Sequence, residues 1–513
     1  ATALSMRPLV LLATLAVFVS MPLMFLGSKS ELAPDEDQGT LLYAGTGPAT
    51  ATRNYLDIYN AQIEKLFSQY PETRVVWQIS GVAPEGGAGA NAVFGGANLK
   101  NWNERERTQM EMTPQAQADL GTITGLNAVA FSSSVLPGAS GLPIQFVLTS
   151  ALDYETLDAA AGELIGKAMG TGQFAFLQKN LNLDAPAIEL EIKRDVAATL
   201  GLSMRDIGQN LNALLSEGMS GRFEMSGRSY QVIPLVPDVL RADINALDEY
   251  YLRSASGKPV ALGTVVDARQ TVQAQFLPQF QQLNSVTLQG IAAPGVPLGQ
   301  ALATLEQLVQ SELAGGFGVD YGGQSRQFMQ QGSSVIVSFV LAVLLVYLLM
   351  TGQFESFRDP VTVLVAVPMS VFGALVFVYF DLTTLNIYTE VGLITLISLI
   401  TKQSILVVEF ANTIQQDEGL SRIEAVKKAS SIRLRPIIMT GSATVAGVVP
   451  LLLATGPGAV GRFAIGVVIA GGMTIGALIS LYVVPVVYTY VAADKTKPTA
   501  VEQAMQGSTE EPV

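Results

Sequence analysis

Apolar runs lie near the start of the 513-residue chain and in its last third, and a polar block from Glu31 to Gly332 separates them. The runs are Leu9–Leu26, Val335–Met350, Pro360–Phe380, Val391–Ala411, Ile437–Leu453 and Phe463–Val491. A helix rises 1.5 Å per residue, so runs of this length can cross the ~30 Å hydrocarbon core of a bilayer. The pattern predicts an α-helical membrane bundle of six spans.

The first run follows Arg7 and could also be a signal peptide, but no convincing small-residue cleavage site comes after it. We therefore expect a true span. Because residue 1 is Ala rather than an initiator Met, we also expect that the chain begins inside a longer polypeptide.

The polar block mixes strand and helix periods. In its first part the pattern predicts an amphipathic helix at Thr50–Gln69, a β-rich run at Arg74–Ile79 and a glycine-rich loop at Pro84–Asn91. A helix with Pro in its first turn follows at Pro114–Leu126, then two strands at Ala128–Ser132 and Pro143–Leu148 and a further helix at Tyr154–Met169. The glycine-rich loop lacks the Lys-Ser/Thr pair of a phosphate-binding loop. This repeated βαβ-type layout predicts α+β subdomains whose helices cover one face of a sheet.

After Ala187 the pattern changes to short elements. They are a strand at Ile188–Ile192, helices at Asp195–Leu200 and Met204–Leu215, a hairpin at Arg222–Pro234 that turns at Ser226-Gly227, and a strand at Pro259–Asp267. We interpret this part as a small domain inserted into the second α+β unit, which resumes with the strand Val286–Ile291 and the helix Leu298–Leu313. The predicted domains are a first span at 1–30, one subdomain at 31–150, a second at 151–185 and 266–332, the insertion at 186–265, five spans at 333–493 and a disordered tail at 494–513.

The composition agrees with a membrane protein, because the mean hydropathy is +0.38 and only 14% of the residues are charged. The net charge of −13 argues against nucleic acid as a partner. The chain has no Cys and no His, which excludes disulfides, thiol chemistry, His-based metal sites and the usual catalytic triads. With no phosphate-binding motif either, the sequence does not indicate an enzyme.

Positive charges sort the loops between the runs into two faces. Those grouped with Arg7 on one face are Arg358, Arg422, Lys427, Lys428, Arg433, Arg435, Lys495 and Lys497. The short loops on the other face offer only Arg462. By the positive-inside rule, both ends of the chain are cytoplasmic and the large polar block lies outside.

One lysine, Lys402, lies near the middle of the run Val391–Ala411. A lysine at mid-bilayer depth costs roughly 2.5–3.5 kcal/mol on insertion scales, so it normally faces a bundle interior and has a partner. Snorkelling to the interface is hard, because Lys402 lies more than two turns from either end of the run. An ion or proton path is the favoured interpretation, and a structural ion pair is the alternative.

Other polar residues lie near Lys402 in the helical pattern. Glu409 follows two turns later on the same face, Thr440 lies in the next run, Arg433 precedes that run and Pro436 suits its first turn. The simpler interpretation is an interfacial charge for Glu409 and Arg433, and a hydroxyl bonded to the preceding turn for Thr440. No acidic residue lies deep in a run, so the carboxylate that a buried lysine requires should come from another segment. The six spans are then half of a larger assembly.

Four motifs resemble the resistance–nodulation–division (RND) efflux pumps of the hydrophobe/amphiphile type. They are PDEDQG at Pro34–Gly39, QFESFRDP at Gln353–Pro360, TKQSILVVEFAN at Thr401–Asn412 and IRLRPIIMT at Ile432–Thr440. The resemblance covers nearly the whole chain and is to the carboxy-terminal half of such a pump. It implies a secondary active transporter, a trimeric drug/proton antiporter of the bacterial inner membrane, with its large domain in the periplasm and with protons as coupling ion in place of any cofactor. The implied partners are the amino-terminal half of the pump, a periplasmic adaptor, an outer-membrane channel and amphiphilic small-molecule substrates.

The same resemblance assigns roles to residues. Lys402, Thr440 and Arg433 would form a proton relay with a pair of aspartates in the amino-terminal half, the α+β units would be porter subdomains, and the insertion would be a docking domain. The substrate-binding positions would be Trp77, Ile79, Phe94, Leu142, Ile144 and Asn180, and the switch loop would hold Pro84, Gly86, Gly87 and Gly89. Ordinary core packing explains the apolar positions equally well.

The sequence departs from the family at Val82, Pro84 and Gly96, where phenylalanines are common. An alternative within the same superfamily is a component for lipid, protein or metal export. The lack of His and Cys weakens the metal option.

Overall fold

The computed structural model describes residue 4 and residues 6–83, 88–137, 141–215, 219–237, 244–254, 256–313 and 315–493. The chain divides into two compact units. One comprises Ala1–Leu181 with Leu277–Val513, and the other is Asn182–Phe276.

The secondary structure alternates as the sequence predicts, between apolar helices and mixed α/β segments. The helices are α1 (Arg7–Gly27), α2 (Arg53–Ser68), α3 (Gln109–Leu120), α4 (Tyr154–Gly170), α5 (Arg194–Thr199), α6 (Met204–Leu215), α7 (Leu262–Val265), α8 (Leu298–Glu312), α9 (Gly323–Phe354), α10 (Asp359–Leu364), α11 (Ala366–Tyr379), α12 (Ile387–Glu418), α13 (Arg422–Leu452) and α14 (Ala459–Val491). The strands are β1 (Thr40–Thr46), β2 (Thr73–Val82), β3 (Ala88–Leu99), β4 (Asn127–Ser132), β5 (Ile144–Ser150), β6 (Phe174–Lys179), β7 (Ala185–Ile192), β8 (Gly221–Met225), β9 (Arg228–Val232), β10 (Tyr251–Arg253), β11 (Pro259–Ala261), β12 (Val266–Gln273), β13 (Gln279–Phe280), β14 (Leu283–Ala292) and β15 (Phe317–Tyr321).

The first sheet has the strand order β2-β3-β1-β4, and every neighbouring pair is antiparallel. Helix α2 connects β1 to β2 and α3 connects β3 to β4, so each helix crosses one intervening strand, which is the split βαβ arrangement. The two helices bury Phe67 and Met112 in one core with Tyr43 and Val93 of the sheet. The expected α/β layout is therefore present in its split form.

The second sheet has the order β6-β14-β5-β15, again with antiparallel neighbours, and the short β13 pairs with the start of β14. Helices α4 and α8 make the crossovers. When the strands of each sheet are numbered separately in chain order, without the short β13, both sheets have the order 2-3-1-4. The sequence-based boundary at residue 150 placed β5 in the first subdomain, but β5 pairs with β14 and β15. An apolar strand fits either sheet, and only its pairing partners decide.

The compact unit Asn182–Phe276 lies in the chain between β6 and β13 and is wider than the predicted insertion. The antiparallel pair β7–β12 joins its two ends, with Ala185 opposite Gln273. The unit has its own core, which includes Ile207 and Leu262. Its hairpin β8–β9 turns at Ser226 and Gly227 as the sequence predicts, and both residues have positive φ, of 54° and 73°.

Among the residues that the structure describes, six helical segments are long and apolar enough to cross a membrane: α1, residues Val337–Phe354 of α9, α10 with α11, α12, α13 and α14. Within this chain α12, α14 and the α10–α11 pair are mostly buried, whereas α1, α9 and α13 are largely uncovered. Helix α12 packs against α11, α13 and α14. Close approach of α14 to α11 needs glycine, because a Cβ at Gly476 would lie 2.5 Å from the Ser370 Cα.

Residues 29–39 link α1 to β1 and contact the membrane helices along the way. The Glu31 amide donates to the Leu385 carbonyl (3.0 Å), and the Ile387 amide, at the start of α12, donates to the Leu32 carbonyl (3.1 Å). These bonds fix the linker to the loop between α11 and α12.

Two neighbouring carboxylates in this linker, Glu36 and Asp37, bind different parts of the molecule. Glu36, which is 3% exposed, accepts a hydrogen bond from the Gly461 amide in the first turn of α14 (2.6 Å). Asp37 forms a buried ion pair with Arg105 (3.1 Å) and accepts from the Gln109 amide, the first residue of α3 (2.9 Å). Each carboxylate satisfies an amide that a helix start leaves unpaired. The PDEDQG motif therefore ties a membrane helix and the first α/β unit to adjacent residues.

Two expectations about proline are wrong. Pro114 lies inside α3, which begins earlier because Thr108 caps it in a capping box. Pro436 lies inside α13, which begins at Arg422 behind the capping residue Ser421. In both cases the cap, rather than the first apolar residue or the proline, sets the start of the helix.

Two expectations about strands also need correction. The run Pro259–Asp267 is not one strand, since the helical turn α7 separates β11 from β12. The glycine-rich loop at Pro84–Asn91 ends earlier than expected because β3 begins at Ala88, and residues 84–87 lie outside the described ranges. The sequence pattern also does not predict β1, β3, β6 or β15. Strand β3 is rich in Gly and Ala, and its place between two partner strands overrides its weak propensity.

We predict that Glu36→Ala lowers the melting temperature of the purified protein, because the buried Gly461 amide would lose its acceptor. A lost hydrogen bond to a charged group costs about 1.5–3 kcal/mol. Thermal unfolding in detergent measures the change. Glu36→Gln keeps an acceptor oxygen and should lose less stability, and equal losses in the two variants would contradict the role of this bond.

Candidate functional site

Lys402 lies on α12, the helix at the centre of the apolar bundle. Asn386 caps this helix by accepting hydrogen bonds from the Tyr388 and Thr389 amides (3.0 and 3.1 Å). The Lys402 side chain is exposed, and it has no ion pair or hydrogen bond with any residue that the structure describes. The expected carboxylate partner is thus not among the described residues of this chain.

Lys402 belongs to an exposed polar stripe along α12. The stripe consists of Thr395, Ser398, Lys402, Glu409 and Thr413, whose spacing of three, four or seven residues puts them on one helix face. The other faces of α12 are packed, and Leu396, Ile400 and Val408 are 0% exposed. A membrane helix that meets lipid tails presents apolar side chains, so a polar face indicates contact with protein or water.

The other two residues predicted to form the relay, Arg433 and Thr440, lie on α13. The guanidinium carbon of Arg433 is 4.5 Å from the centre of the Phe410 ring on α12, a cation–π contact between the two helices. Thr440 is exposed, and its hydroxyl donates to the Ile437 carbonyl (3.1 Å). This is a bond to the preceding turn of its own helix, which is the simpler of the two interpretations of this threonine. The three side chains therefore lie on neighbouring helices, and no hydrogen bond or ion pair joins them within the described part of the chain.

A buried polar network on another face of α12 was missed by the sequence analysis. Asp359, at the start of α10, is 0% exposed and accepts from the Asn412 side chain (3.0 Å). The Tyr488 hydroxyl donates to Asn412 Oδ1 (2.6 Å) and accepts from Gln415 Nε2 (2.5 Å). The network joins α10, α12 and α14. Its signal in the sequence is the spacing of Asn412 and Gln415, which puts two amides on the apolar face of the helix.

In the first sheet, Trp77, Ile79 and Phe94, three of the predicted substrate-binding residues, lie close together. Ile79 is directly opposite Phe94 in the register, and the ring centres of Trp77 and Phe94 are 5.4 Å apart. Trp77 also covers Gly96, since a Cβ there would lie 3.3 Å from the indole ring and 2.9 Å from the Leu41 carbonyl oxygen. Trp77 therefore occupies the space above residue 96 and supplies the aromatic surface at this place.

Leu142, Ile144 and Asn180 are held by packing and hydrogen bonds. Leu142 and Ile144 are 0% exposed, and Leu142 clusters with Phe131 and Phe94. Asn180 Oδ1 accepts from the Thr287 amide of β14 (2.8 Å). Leu142 and Ile144 therefore offer no exposed surface to a ligand in this conformation, whereas Asn180 is half-buried. Of the residues predicted to form a switch loop, Gly89 lies in β3, and Pro84, Gly86 and Gly87 lie outside the described residues.

A hollow beside the linker is lined by Lys29, Glu31, Asp35 and Thr384, together with residues 291–298. Burial raises the pKa of Glu31, although the hydrogen bond from the Thr384 hydroxyl (2.5 Å) opposes this. Burial also raises the pKa of Asp35. Two acids that protonate more readily than usual thus lie next to the membrane helices. Across the described ranges, no three His, Cys, Asp or Glu side chains group as metal ligands.

Comparison with known proteins agrees with this architecture. One relative, described as an uncharacterized transporter of Haemophilus influenzae, is 36% identical over 485 residues, which are 93% of this chain and 46% of the relative. The multidrug export protein AcrF of Escherichia coli is 29% identical over 484 residues (93% of this chain, 47% of the relative). The multidrug/solvent efflux pump membrane transporter MepB of Pseudomonas putida is 29% identical over 490 residues (94% and 46%). The chain spans about half the length of these curated relatives, 46–47% in each case.

The match to a family as a whole is more extensive than any single relative. The AcrB/AcrD/AcrF family profile covers residues 1–492, from the start of the chain to the residue after α14. It therefore includes both sheets, the inserted unit and all six apolar helical segments. The chain belongs to the AcrB/AcrD/AcrF family of RND membrane transporters.

Proposed function

We propose that this chain is the carboxy-terminal half of an RND pump that exports drugs and other amphiphilic small molecules in exchange for protons. Its relatives include proteins named as multidrug and solvent exporters, each about twice its length, since the chain covers 46–47% of them. Protons are the coupling ion, and no other cofactor takes part.

The polar stripe of α12 is the observation that carries this proposal. Lys402 is a charge at membrane depth on the face that the rest of the chain leaves uncovered. The cost of such a charge in hydrocarbon, roughly 2.5–3.5 kcal/mol, is removed when a partner covers it with carboxylates. We assign those carboxylates to a pair of aspartates in the amino-terminal half, and the stripe is the surface that this half covers.

The proton step then follows from electrostatics. An aspartate pair holds Lys402 in its charged form, and protonation of one aspartate weakens that attraction. Lys402 turns towards Thr440, whose exposed hydroxyl lies on the next helix. We place Arg433 towards the cytoplasmic end of the proton path. A proton that moves down ~100 mV supplies about 2.3 kcal/mol, and the pH gradient adds to this.

The linker provides a route from this step to the α/β units. A displacement of α12 moves Ile387, whose amide is bonded to Leu32 (3.1 Å). The same linker carries Glu36, bonded to α14, and Asp37, bonded to α3. Small shifts of the membrane helices can thus change the position of the first α/β unit, which opens and closes a substrate pocket.

We place that substrate pocket on the face of the first sheet that carries Trp77, Ile79 and Phe94. Ile79 is 44% exposed, and Trp77 and Phe94 are half-buried, so this face offers aromatic and aliphatic surface to an amphiphile. In this scheme the two α/β units are porter subdomains, and the unit Asn182–Phe276 is a docking domain. The pump is a trimer in the bacterial inner membrane, with these domains in the periplasm, and it works with an adaptor and an outer-membrane channel.

We predict that Lys402→Ala abolishes export without preventing assembly, because the proton step loses its mobile charge. The test is dye accumulation in cells that lack their own pumps and carry the chain with its natural amino-terminal half. Dye should rise to the level of cells without any pump, at equal expression.

Lys428→Ala is the matched control, since that lysine is exposed and pairs only with the exposed Glu418 (2.6 Å). It should leave export unchanged. Full export by the Lys402→Ala variant would refute the relay. If the wild type does not lower dye at all, the substrate is of another class, and lipid, protein or metal export becomes the better hypothesis.

We also predict that Trp77→Ala reduces export of aromatic dyes more than export of aliphatic detergents. Loss of one aromatic contact is worth about 1 kcal/mol, roughly a fivefold change in affinity. Val75→Ala, a neighbour on the same strand that is 52% exposed, serves as control. Inhibitory concentrations of both compound classes measure the effect, and an equal loss for both would show that Trp77 has no role in selectivity.

A further inference from the structure

A small polar cavity lies inside the membrane helices, behind Lys402. Residues of α12, α13 and α14 line it, and its polar side chains are Gln403, Ser404, Ser430 and Ser480. Its space is about that of one water molecule. Val407, Ile437 and Val484 complete the wall, so the cavity is a polar site in apolar surroundings.

Two side chains present buried polar atoms to this cavity. Gln403 is 5% exposed, and its Oε1 has no hydrogen-bond partner among the described residues. Ser430 Oγ is likewise buried and unpartnered within the described part of the chain. Buried polar side-chain atoms in folded proteins nearly always have a protein or water partner.

The helix α14 contributes a third group, a backbone carbonyl. Pro485 lies inside α14 and carries no amide hydrogen, so the Leu481 carbonyl has no donor four residues ahead. Both residues line the cavity. The Ser480 hydroxyl donates to the Ala477 carbonyl (3.0 Å) and keeps its lone pairs for a further donor.

From this arrangement we infer that the cavity binds a structural water molecule. The water donates hydrogen bonds to Gln403 Oε1 and the Leu481 carbonyl and accepts one from the Ser430 hydroxyl. It thereby meets the two to four polar partners that buried waters make. Every lining group is neutral, which favours water over a metal cation.

The role of this water rests on the proposed function. Gln403 is the next residue after Lys402, so any movement of Lys402 with its helix moves Gln403 as well. Tightly packed apolar surfaces resist such movement because packed interiors do not deform continuously. A water can exchange hydrogen-bond partners, so it allows α12 to shift relative to α13 and α14 without leaving a polar group unpaired. Ser430 and Gln403 are then positioning residues for the proton step.

The test compares Ser430→Val with Ser430→Thr in the full pump, purified and melted in detergent. Loss of the hydroxyl leaves the water one partner short, so Ser430→Val should lower the melting temperature and Ser430→Thr should not. Thr474→Val is the matched control, because its hydroxyl donates only to the Ala470 carbonyl (2.7 Å) outside the cavity. A site that holds no water gives the opposite result, since valine would then fill space and remove an unpaired group.

Pro485→Ala supplies a second measurement, since it gives the Leu481 carbonyl its backbone donor. Its effect on the melting temperature should be more favourable in the Ser430→Val background than in the wild type, and additive effects would overturn the shared water. A density peak within hydrogen-bond distance of Gln403 and Leu481, at a resolution that reveals waters, is the direct observation expected.

Export assays then test the role in transport. Ser430→Val should slow dye export several-fold with an unchanged half-saturating dye concentration, and Ser430→Thr should restore the rate. If the wild type exports no dye, the proposed function fails, yet the melting comparisons still decide the water site. If Ser430→Val raises the melting temperature, the water site fails even in an active pump.

Discussion

A charged amine in hydrocarbon needs a counter-charge, and this requirement explains the arrangement of the membrane helices. Three sides of α12 are packed by α11, α13 and α14, and the fourth carries Lys402 in a row of polar side chains. The chain thus buries the apolar faces of this helix and leaves the polar face uncovered within its described part. A soluble protein would place such a face in bulk water, but a membrane helix needs protein or a water-filled cavity beside it. The uncovered face is therefore as informative as any contact.

Around this centre, polar groups inside the bundle occur at defined places and hold particular helices together. Asp359, Asn412, Tyr488 and Gln415 join α10, α12 and α14 near one end of the bundle. At the other end, the linker joins α12 and α14 to the first α/β unit through hydrogen bonds to helix starts. Each bond is strong in an apolar environment and has a defined direction. Movement of α12 must therefore be shared with its neighbours.

Much of this could be predicted from the sequence where a strong local signal exists. The apolar runs, the hairpin at Ser226-Gly227 and the position of Lys402 within its run are signals of this kind, and the structure has the corresponding apolar helices, the hairpin and a lysine near the middle of α12. The failures have a common physical cause, which is information held by distant residues. Strand β5 was assigned to the wrong sheet because its partners lie far along the chain, and β3 was missed because two flanking strands stabilise a Gly-rich segment. The Trp77–Gly96 contact also depends on register, which no local pattern contains.

The strand pair β7–β12, which joins the two ends of the inserted unit, has a consequence for the order in which the chain folds. Strand β14 must pair with β5 across more than a hundred residues, from Gly290 to Ile144, and long loops make such pairing slow. The pair β7–β12 brings the two ends of the intervening unit together, Ala185 opposite Gln273. Once this unit has folded, the effective connection between β6 and β14 shortens to residues 180–184 and 274–282, on either side of the β7–β12 pair. By joining its own ends, the inserted unit brings the strands of the second sheet closer together along the chain. The residues between β7 and β12 can therefore change in number during evolution at little entropic cost to that sheet.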